Sequence, residues 1–203
     1  MCDHLKRFDQ PRILEIGIEH GRITMPIIKN LSQNNKNFYY YGIDIEIKPI
    51  IQSFFQSIPQ ENYSWVEENS LIELPKLVAS EQKFDLVLLD GDHNYFTVSQ
   101  ELELIENLLH KDSVLIIDDY FGPWALNDYW YCNYYQNNPR STPINRSNKA
   151  GVEPAVNDWL MKHDNLESCI ITPGNKLMVL TEISKEKRAK RCHALMVREK
   201  QCL

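Results

Sequence analysis

The sequence predicts a doubly wound α/β fold in which a seven-stranded, mostly parallel sheet ends in a reversed last strand. Short aliphatic or β-branched runs alternate with longer segments of helical spacing, which is typical of a parallel sheet covered on both faces. Runs such as FDLVLLD and SVLIID are almost continuously apolar, as in strands buried on both sides. Only Pro173, Gly174 and Asn175 separate the last two runs, so those strands must pair antiparallel.

The predicted elements follow one another in a regular order along the chain. The strands are predicted over residues 12–17, 38–44, 63–68, 84–90, 113–118, 167–172 and 176–183. The helices are predicted near residues 23–33, 48–57, 71–80, 95–110 and 152–163. All seven glycines fall at or beside a predicted strand end or turn, where the backbone needs unusual dihedral angles.

Length and composition indicate one globular domain. The chain has 203 residues, of which 43% are hydrophobic and 25% charged, and these values exclude disordered, collagen-like and coiled-coil proteins. No apolar run is long enough to span a membrane, and the N-terminal residues lack the apolar region of a signal peptide, so we expect a cytoplasmic protein. The five cysteines are odd in number and lack CxxC spacing, which favours free thiols over disulfides or a zinc site.

The net charge of −6 is unevenly distributed along the chain. Residues 185–203 contain seven basic and two acidic residues, so they carry +5 and residues 1–184 carry −11. An acidic body argues against a nucleic-acid partner, which requires a basic surface. The basic tail is either a solvated helix or a contact for an anionic partner. We therefore divide the chain into a domain over residues 1–184 and a basic C-terminal tail over residues 185–203.

A glycine-containing turn follows the first predicted strand. Gly17 allows a sharp turn there, and Gly21 allows close approach of a ligand at the helix start. The pattern lacks the third glycine of a dinucleotide-binding GxGxxG loop, and Glu15 would repel a pyrophosphate but suits a cationic ligand. Asp44 ends the second strand, where a carboxylate can accept both hydroxyl groups of a ribose. A ribose, a positive charge and no phosphate together indicate S-adenosylmethionine.

Three carboxylates close the fourth and fifth predicted strands. Asp90 ends the fourth strand, and Asp118 and Asp119 end the fifth. If these strands are neighbours, the three side chains meet at one edge of the sheet, where α/β folds place their ligands. A hard divalent cation, Mg²⁺ above all, would relieve their repulsion. The alternative is that Asp118 and Asp119 cap loops through backbone amides.

The motifs LEIGIEHGRIT, YGIDIE, FDLVLLDGDHNY and SVLIIDDY, in this order, resemble class I S-adenosylmethionine-dependent methyltransferases. The closest branch contains the macrocin and aminocoumarin-sugar O-methyltransferases and the cephalosporin hydroxylase-like proteins. The resemblance covers about residues 11–183. It implies a Rossmann-like sheet and methyl transfer from S-adenosylmethionine to a hydroxyl of a small-molecule acceptor, such as a sugar or a phenol, with Mg²⁺ held by the three acids.

The resemblance also implies roles for individual residues in the cofactor site. Glu15 and Gly17 would line the methionine end of the cofactor, and Asp44 would bind its ribose. Asn69 and Ser70 would lie near the adenine, although Ser70 could instead be the N-cap of the following helix. Asp90 is expected to lie at both the cofactor and the metal.

Two neighbouring residues after the fourth strand are candidates for the catalytic base. By resemblance, Asp92 would take the proton of an acceptor hydroxyl whose pKa the metal has lowered. His93 has a suitable ordinary pKa, but it could serve instead to orient the loop.

An aromatic-rich insertion occupies residues 120–150. Eight of the 21 aromatic residues of the chain fall within positions 120–135, and such a segment can be a lid, an acceptor-binding loop or the interface of a homo-oligomer. Relatives generally carry helices before the first strand that cover the site, whereas only about ten residues precede Ile13 here. Three alternatives to a magnesium-assisted enzyme stay open: a metal-independent methyltransferase, a non-catalytic cofactor-binding relative and a nucleotide-dependent oxidoreductase.

Overall fold

The computed structural model describes residues 2–34, 37–145 and 147–163, and the strands at 166–170 and 178–182 by their backbone. The strands are β1 Arg12–Ile16, β2 Tyr39–Asp44, β3 Tyr63–Glu67, β4 Leu86–Leu89, β5 Val114–Ile117, β6 Leu166–Ile170 and β7 Met178–Glu182. The helices are α1 Cys2–Leu5, α2 Thr24–Gln33, α3 Pro49–Phe55, α4 Ser70–Ala79, α5 Tyr95–Ile105, α6 Tyr131–Tyr134 and α7 Val152–Lys162. Two short 3₁₀ helices cover Gln60–Asn62 and Glu106–Leu108.

All seven described strands form one sheet in the order β3-β2-β1-β4-β5-β7-β6. The first five strands are parallel, with β1 at the centre between β2 and β4. β7 runs antiparallel to both of its neighbours, β5 and β6. The order reverses at β1, and this reversal opens a crevice at the carboxyl ends of β1, β2 and β4.

Helices cover both faces of the sheet because each central strand is apolar on both sides. Leu14 of β1 belongs to a core cluster with residues of α4, α5 and α7, among them Trp159. Its neighbour Ile13 belongs to the cluster on the opposite face, which includes Ile28 of α2 and Phe55 of α3. The alternation along a single strand therefore fixes two helical layers, and the predicted Rossmann-like α/β fold is confirmed.

Some features of the chain lie beyond the sequence prediction. No helix was predicted at the position of α1. This helix lies against the amino-terminal edge of the sheet, where His4 Nε2 donates to the backbone oxygen of Asp85 (3.1 Å). No helix among the described residues is long and apolar enough to cross a membrane. The cytoplasmic location stays a prediction, and the basic tail at 185–203 lies outside the described residues.

Candidate functional site

Two adjoining clefts open at the carboxyl edge of the sheet. The first cleft lies over the ends of β1, β2 and β4 and beside the start of α4. The second cleft lies towards the end of β5. Glu19, Asp90 and Tyr131 line both clefts, so these residues form the boundary between them.

Gly17 begins the turn after β1 and lines the first cleft. Its backbone has a φ of +83°, and a Cβ at this position would lie 2.0 Å from the backbone oxygen of Asp90, so only glycine fits. Gly21 also has a positive φ, but it lines neither cleft as described. A Cβ there would meet the side chains of Ile51 and Met25. Gly21 therefore permits packing against α3, and its predicted approach to a ligand stays a prediction.

Asp44 lies at the end of β2, on the wall of the first cleft. Its Oδ2 accepts hydrogen bonds from the backbone N–H groups of Ile18 (2.7 Å) and Glu19 (2.9 Å), and Oδ1 accepts from that of Glu46 (2.9 Å). The carboxylate thus shapes the turn after β1 and still has lone pairs for a ribose hydroxyl. Asp44 thus has a structural role, and its binding to a ribose stays a prediction.

Glu15 is fully buried beneath the turn and borders the second cleft. Its Oε2 accepts hydrogen bonds from the hydroxyls of Thr24 and Tyr40, the latter at 2.8 Å. Burial raises the pKa of Glu15 to about 7, although both hydroxyls act in the opposite direction. Its placement at the methionine end of a cofactor stays a prediction.

Asn69 and Ser70 both line the first cleft, but their local roles differ from those predicted. Asn69, and not Ser70, is the N-cap of α4, because its side-chain oxygen accepts from the backbone N–H of Leu71 (2.8 Å). The hydroxyl of Ser70 donates to Oε1 of Glu101 (2.6 Å). A contact between either residue and adenine stays a prediction.

Glu101 is a buried acid that the sequence prediction missed. It lies on α5 beneath the first cleft, and its Oε2 makes no hydrogen bond with the described residues. Burial raises its pKa to about 8. A signal was present in the sequence, because Glu101 follows Val98 and precedes Leu102 and Ile105 on the apolar face of that helix.

The three predicted metal ligands lie beside one another at the ends of β4 and β5. The carboxyl groups of Asp90 and Asp118 share a hydrogen bond, and burial together with the charge of Asp118 raises the pKa of Asp90 to about 9. A proton can therefore relieve the repulsion between these acids, for which the sequence predicted a divalent cation. No group of three or more His, Cys, Asp or Glu in the described part of the chain is arranged to hold a metal ion. In this arrangement Asp90, Asp118 and Asp119 do not fit the predicted magnesium site.

Asp92 and His93 are adjacent in sequence but face different clefts. Asp92 lines the first cleft, where it accepts from the backbone N–H of Tyr131 (3.2 Å) and the hydroxyl of Thr97 (3.3 Å). Burial raises its pKa above the usual range. His93 lines the second cleft, with Nε2 3.9 Å from Asp90 Oδ1 and 3.8 Å from Asp119 Oδ2. The structure thus separates the two candidate bases.

The aromatic insertion supplies walls to both clefts. Trp124 and Tyr129 line the second cleft, with ring centroids 4.7 Å apart, and Tyr135 lines the first. Tyr131 packs at right angles to Tyr129, with ring centroids 5.1 Å apart. Tyr134 is 72% exposed. The use of the insertion as the interface of a homo-oligomer stays a prediction.

Comparisons with known proteins agree with this architecture. A family model described as a methyltransferase domain matches residues 14–120. A search of curated proteins gives no match.

Solved structures with the same fold differ in the acceptor that their names give. CalS11, a TDP-rhamnose 3′-O-methyltransferase of calicheamicin biosynthesis, has 17% identity and a TM-score of 0.57, over 91% of this chain and 77% of its own. MycE of the mycinamycin pathway, in complex with Mg and SAH, has 13% identity and a TM-score of 0.54, over 89% of this chain and 47% of its own. A protein described as a putative rRNA methylase from Clostridium thermocellum has 14% identity and a TM-score of 0.57, over 90% of this chain and 93% of its own. The chain thus spans about half of MycE, and these likenesses show the fold.

Proposed function

The chain belongs to the methyltransferase-domain family and is an S-adenosylmethionine-dependent methyltransferase, and we propose that it methylates a hydroxyl of a small molecule, such as a sugar or a phenol. The observation that carries the proposal is the pair of adjoining clefts, one suited to the cofactor and one to an acceptor. Methyl transfer requires the two ligands to meet, and the shared boundary at Asp90 and Tyr131 offers such a place.

The first cleft suits a cofactor that carries positive charge and no phosphate. Five acidic residues line it, while Lys48 is the one lysine or arginine among its described lining residues. A pyrophosphate needs a glycine-rich loop leading directly into a helix N-terminus. Here α2 begins only at Thr24, seven residues after Gly17, and no side chain caps it. The cleft is therefore a poor site for NAD, which argues against the oxidoreductase alternative.

The second cleft suits a hydroxylated ring. The aromatic side chains of Trp124 and Tyr129 can pack against the apolar face of a sugar or against a phenol. The acidic side chains that also line this cleft can accept hydrogen bonds from the hydroxyl groups of an acceptor. Sugar O-methyltransferase activity, which the name of CalS11 gives for that protein, is consistent with such a cleft.

His93 is the residue that we propose as the base in the transfer. When bound, S-adenosylmethionine supplies an electrophilic methyl group on a sulfonium. His93 faces the second cleft and would take the proton of the acceptor hydroxyl. The carboxyl group of Asp119, with Oδ2 3.8 Å from His93 Nε2, would stabilise the resulting imidazolium. Asp92 is the weaker candidate because its carboxylate faces the first cleft and binds the backbone of Tyr131.

Calorimetric titration of the wild-type protein with S-adenosylhomocysteine and with NAD tests the cofactor assignment. We expect binding of the first and no binding of the second. Turnover is then measured with S-adenosylmethionine and a panel of sugars and phenols. Binding without turnover of any acceptor would favour the non-catalytic relative, and binding of NAD alone would contradict the proposal.

A matched pair of variants tests the assignment of the base. We expect His93→Gln to lower the rate of methyl transfer by about 10²–10⁴ while leaving the affinity for S-adenosylhomocysteine unchanged. Asp92→Asn should chiefly change that affinity. The opposite pattern would return the role of base to Asp92.

Magnesium assistance, which the sequence predicts, is tested by chelation. Loss of turnover in EDTA, with recovery on adding Mg²⁺, would mean that Asp90, Asp118 and Asp119 rearrange around a cation. Turnover that resists EDTA would support the metal-independent alternative.

A further inference from the structure

The part of the insertion that covers the first cleft is a strap, which we define as residues 131–142. The strap begins beside the second cleft, at Tyr131, and reaches the loops that follow β2 and β3. Four of its residues, Tyr131, Tyr135, Ser141 and Thr142, line the first cleft. One wall of that cleft therefore comes from a segment outside the alternating strands and helices.

Asn138 fixes the strap to the end of β2. Its Nδ2 donates to the backbone oxygen of Ile45 (3.1 Å), and its Oδ1 accepts from the backbone N–H of Arg140 (2.9 Å). Ile45 directly follows Asp44 and lines the first cleft, whereas Asn138 is not among the described lining residues. Asn138 can thus hold the strap against the cleft without contacting what the cleft binds.

Asn69 fixes the same strap to the start of α4. Its Nδ2 donates to the backbone oxygen of Arg140 (2.8 Å) and to the hydroxyl oxygen of Thr142 (3.1 Å). Ser141 lies between these two anchored residues. Both ends of the segment 138–142 are therefore held, which fixes the position of Ser141 relative to the cleft.

The side chain of Ser141 carries a buried hydroxyl that makes no hydrogen bond to a described residue. A buried polar group without a partner costs about 1–3 kcal/mol. The residue lines the first cleft, so a ligand there can supply the missing partner. Its neighbours Thr142 and Asn69 place it beside the start of α4.

We propose that the strap is part of the cofactor site: the Ser141 hydroxyl hydrogen-bonds the adenosine moiety, and Asn138 is the positioning residue that holds Ser141 there. This proposal rests on the proposed function, because it assumes that the first cleft binds S-adenosylmethionine. It adds a contact from the segment after β5 to a site that the sequence assigned to the carboxyl ends of β1, β2, β3 and β4 and the loops that follow them.

Calorimetric titration with S-adenosylhomocysteine tests the two residues against matched controls. We expect Ser141→Ala to weaken binding about five- to tenfold, as the loss of one hydrogen bond predicts, and Asn138→Ala to weaken it to a similar degree. Ser147→Ala and Asn127→Ala are the controls, since each removes a side-chain bond to a backbone oxygen in the same insertion, away from the cleft. Equal affinities in the variants and the controls would overturn the proposal.

Methylthioadenosine, which lacks the amino-acid part of the cofactor, locates the contact. Ser141→Ala should weaken the binding of this probe by the same factor as it weakens S-adenosylhomocysteine. A loss confined to S-adenosylhomocysteine would overturn the assignment to adenosine.

Hydrogen exchange on the wild-type protein provides a readout that needs no variant. S-adenosylhomocysteine should slow amide exchange in residues 131–142 and leave residues 120–128 unchanged, and absence of this protection would overturn the role of the strap. If the wild-type protein binds no S-adenosylhomocysteine, the proposed function has failed instead. If it binds while both variants match their controls, only the strap proposal has failed.

Discussion

The buried carboxyl of Glu101 makes the stability of the protein depend on pH in a way that one substitution can remove. Glu101→Gln keeps the shape of the side chain and leaves an amide oxygen to accept the hydrogen bond from Ser70. The substitution removes the ionisable group. It also places an amide N–H₂ where Oε2 now has no hydrogen-bond partner among the described residues.

The magnitude follows from the pKa of Glu101, which burial raises from 4.5 to about 8. Between these values the folded state holds a proton that the unfolded state has released, so the free energy of unfolding falls as the pH rises. One such proton changes it by at most about 1.4 kcal/mol per pH unit. The stabilisation that comes from the proton on Glu101 is fully present below pH 4.5 and is lost by pH 8. The total loss of unfolding free energy has an upper bound on the order of 4–5 kcal/mol.

Glu15 and Asp90 act in the same direction, because burial raises their pKa values to about 7 and about 9. The wild-type slope should therefore exceed that of a single proton. Glu101→Gln should reduce the slope by up to about 1.4 kcal/mol per pH unit between pH 5 and 7.5. Because the new amide is itself unsatisfied, we expect the variant to be no more stable than the wild type at pH 5 and more stable at pH 8.

Urea denaturation at half-unit pH intervals measures this difference directly. Glu103→Gln is the matched control, since Glu103 lies on the exposed side of the same helix. Wild-type and Glu101→Gln curves that stay parallel across the whole range would refute the argument, because they would mean that Glu101 holds no extra proton in the folded protein.

Three further substitutions follow from the geometry of the sheet edges. Asp44→Ala should weaken the binding of S-adenosylhomocysteine and also lower the free energy of unfolding by about 1–3 kcal/mol, since three backbone N–H groups lose their acceptor; calorimetry and urea denaturation measure the two effects. Gly17→Ala should abolish cofactor binding, because its Cβ would lie 2.0 Å from the Asp90 oxygen, and titration with unaltered affinity would contradict this. Asp85→Asn should lower the melting temperature without changing affinity, because Asp85 at the opposite edge accepts from the backbone N–H of Arg12 (2.6 Å) and bonds His110 Nε2 (3.0 Å).

The sequence was informative about the sheet because apolar strands leave a strong local pattern. The fourth and fifth predicted strands match β4 and β5 to within two residues at each end, since both are buried on both faces. α1 gave no such signal because its four residues are too few for a helical period. Its position depends instead on the contact of His4 with the distant Asp85, which no local pattern encodes.

The candidate site could be predicted as a set of residues but not as a set of contacts. Asp44 and Asp90 were predictable because parallel strands end at the same edge of a sheet. The roles of Asp92 and His93 were not, since adjacent loop residues can face different clefts and only the tertiary structure decides which. Likewise, the N-cap of α4 is Asn69 and not Ser70, because the hydroxyl of Ser70 bonds Glu101, a residue 31 positions away.

The position of the described N-terminal residues explains why the insertion, and not the N-terminal segment, lines both clefts. His4 and Phe8 contact Asp85 and His110, which lie at the amino-terminal edge of the sheet. The clefts lie at the opposite, carboxyl edge, so this segment cannot cover either of them.

The insertion supplies that cover from the other side of the molecule. Tyr131 lines both clefts, Tyr135 and Ser141 complete the first, and Trp124 and Tyr129 complete the second. If the two clefts bind the methyl donor and the acceptor as proposed, one segment contributes to both binding surfaces, and Tyr131 lies at their boundary. Substitutions in the strands change stability first, whereas substitutions in this segment change which acceptor meets the cofactor, because the segment contributes the side chains that the acceptor would contact.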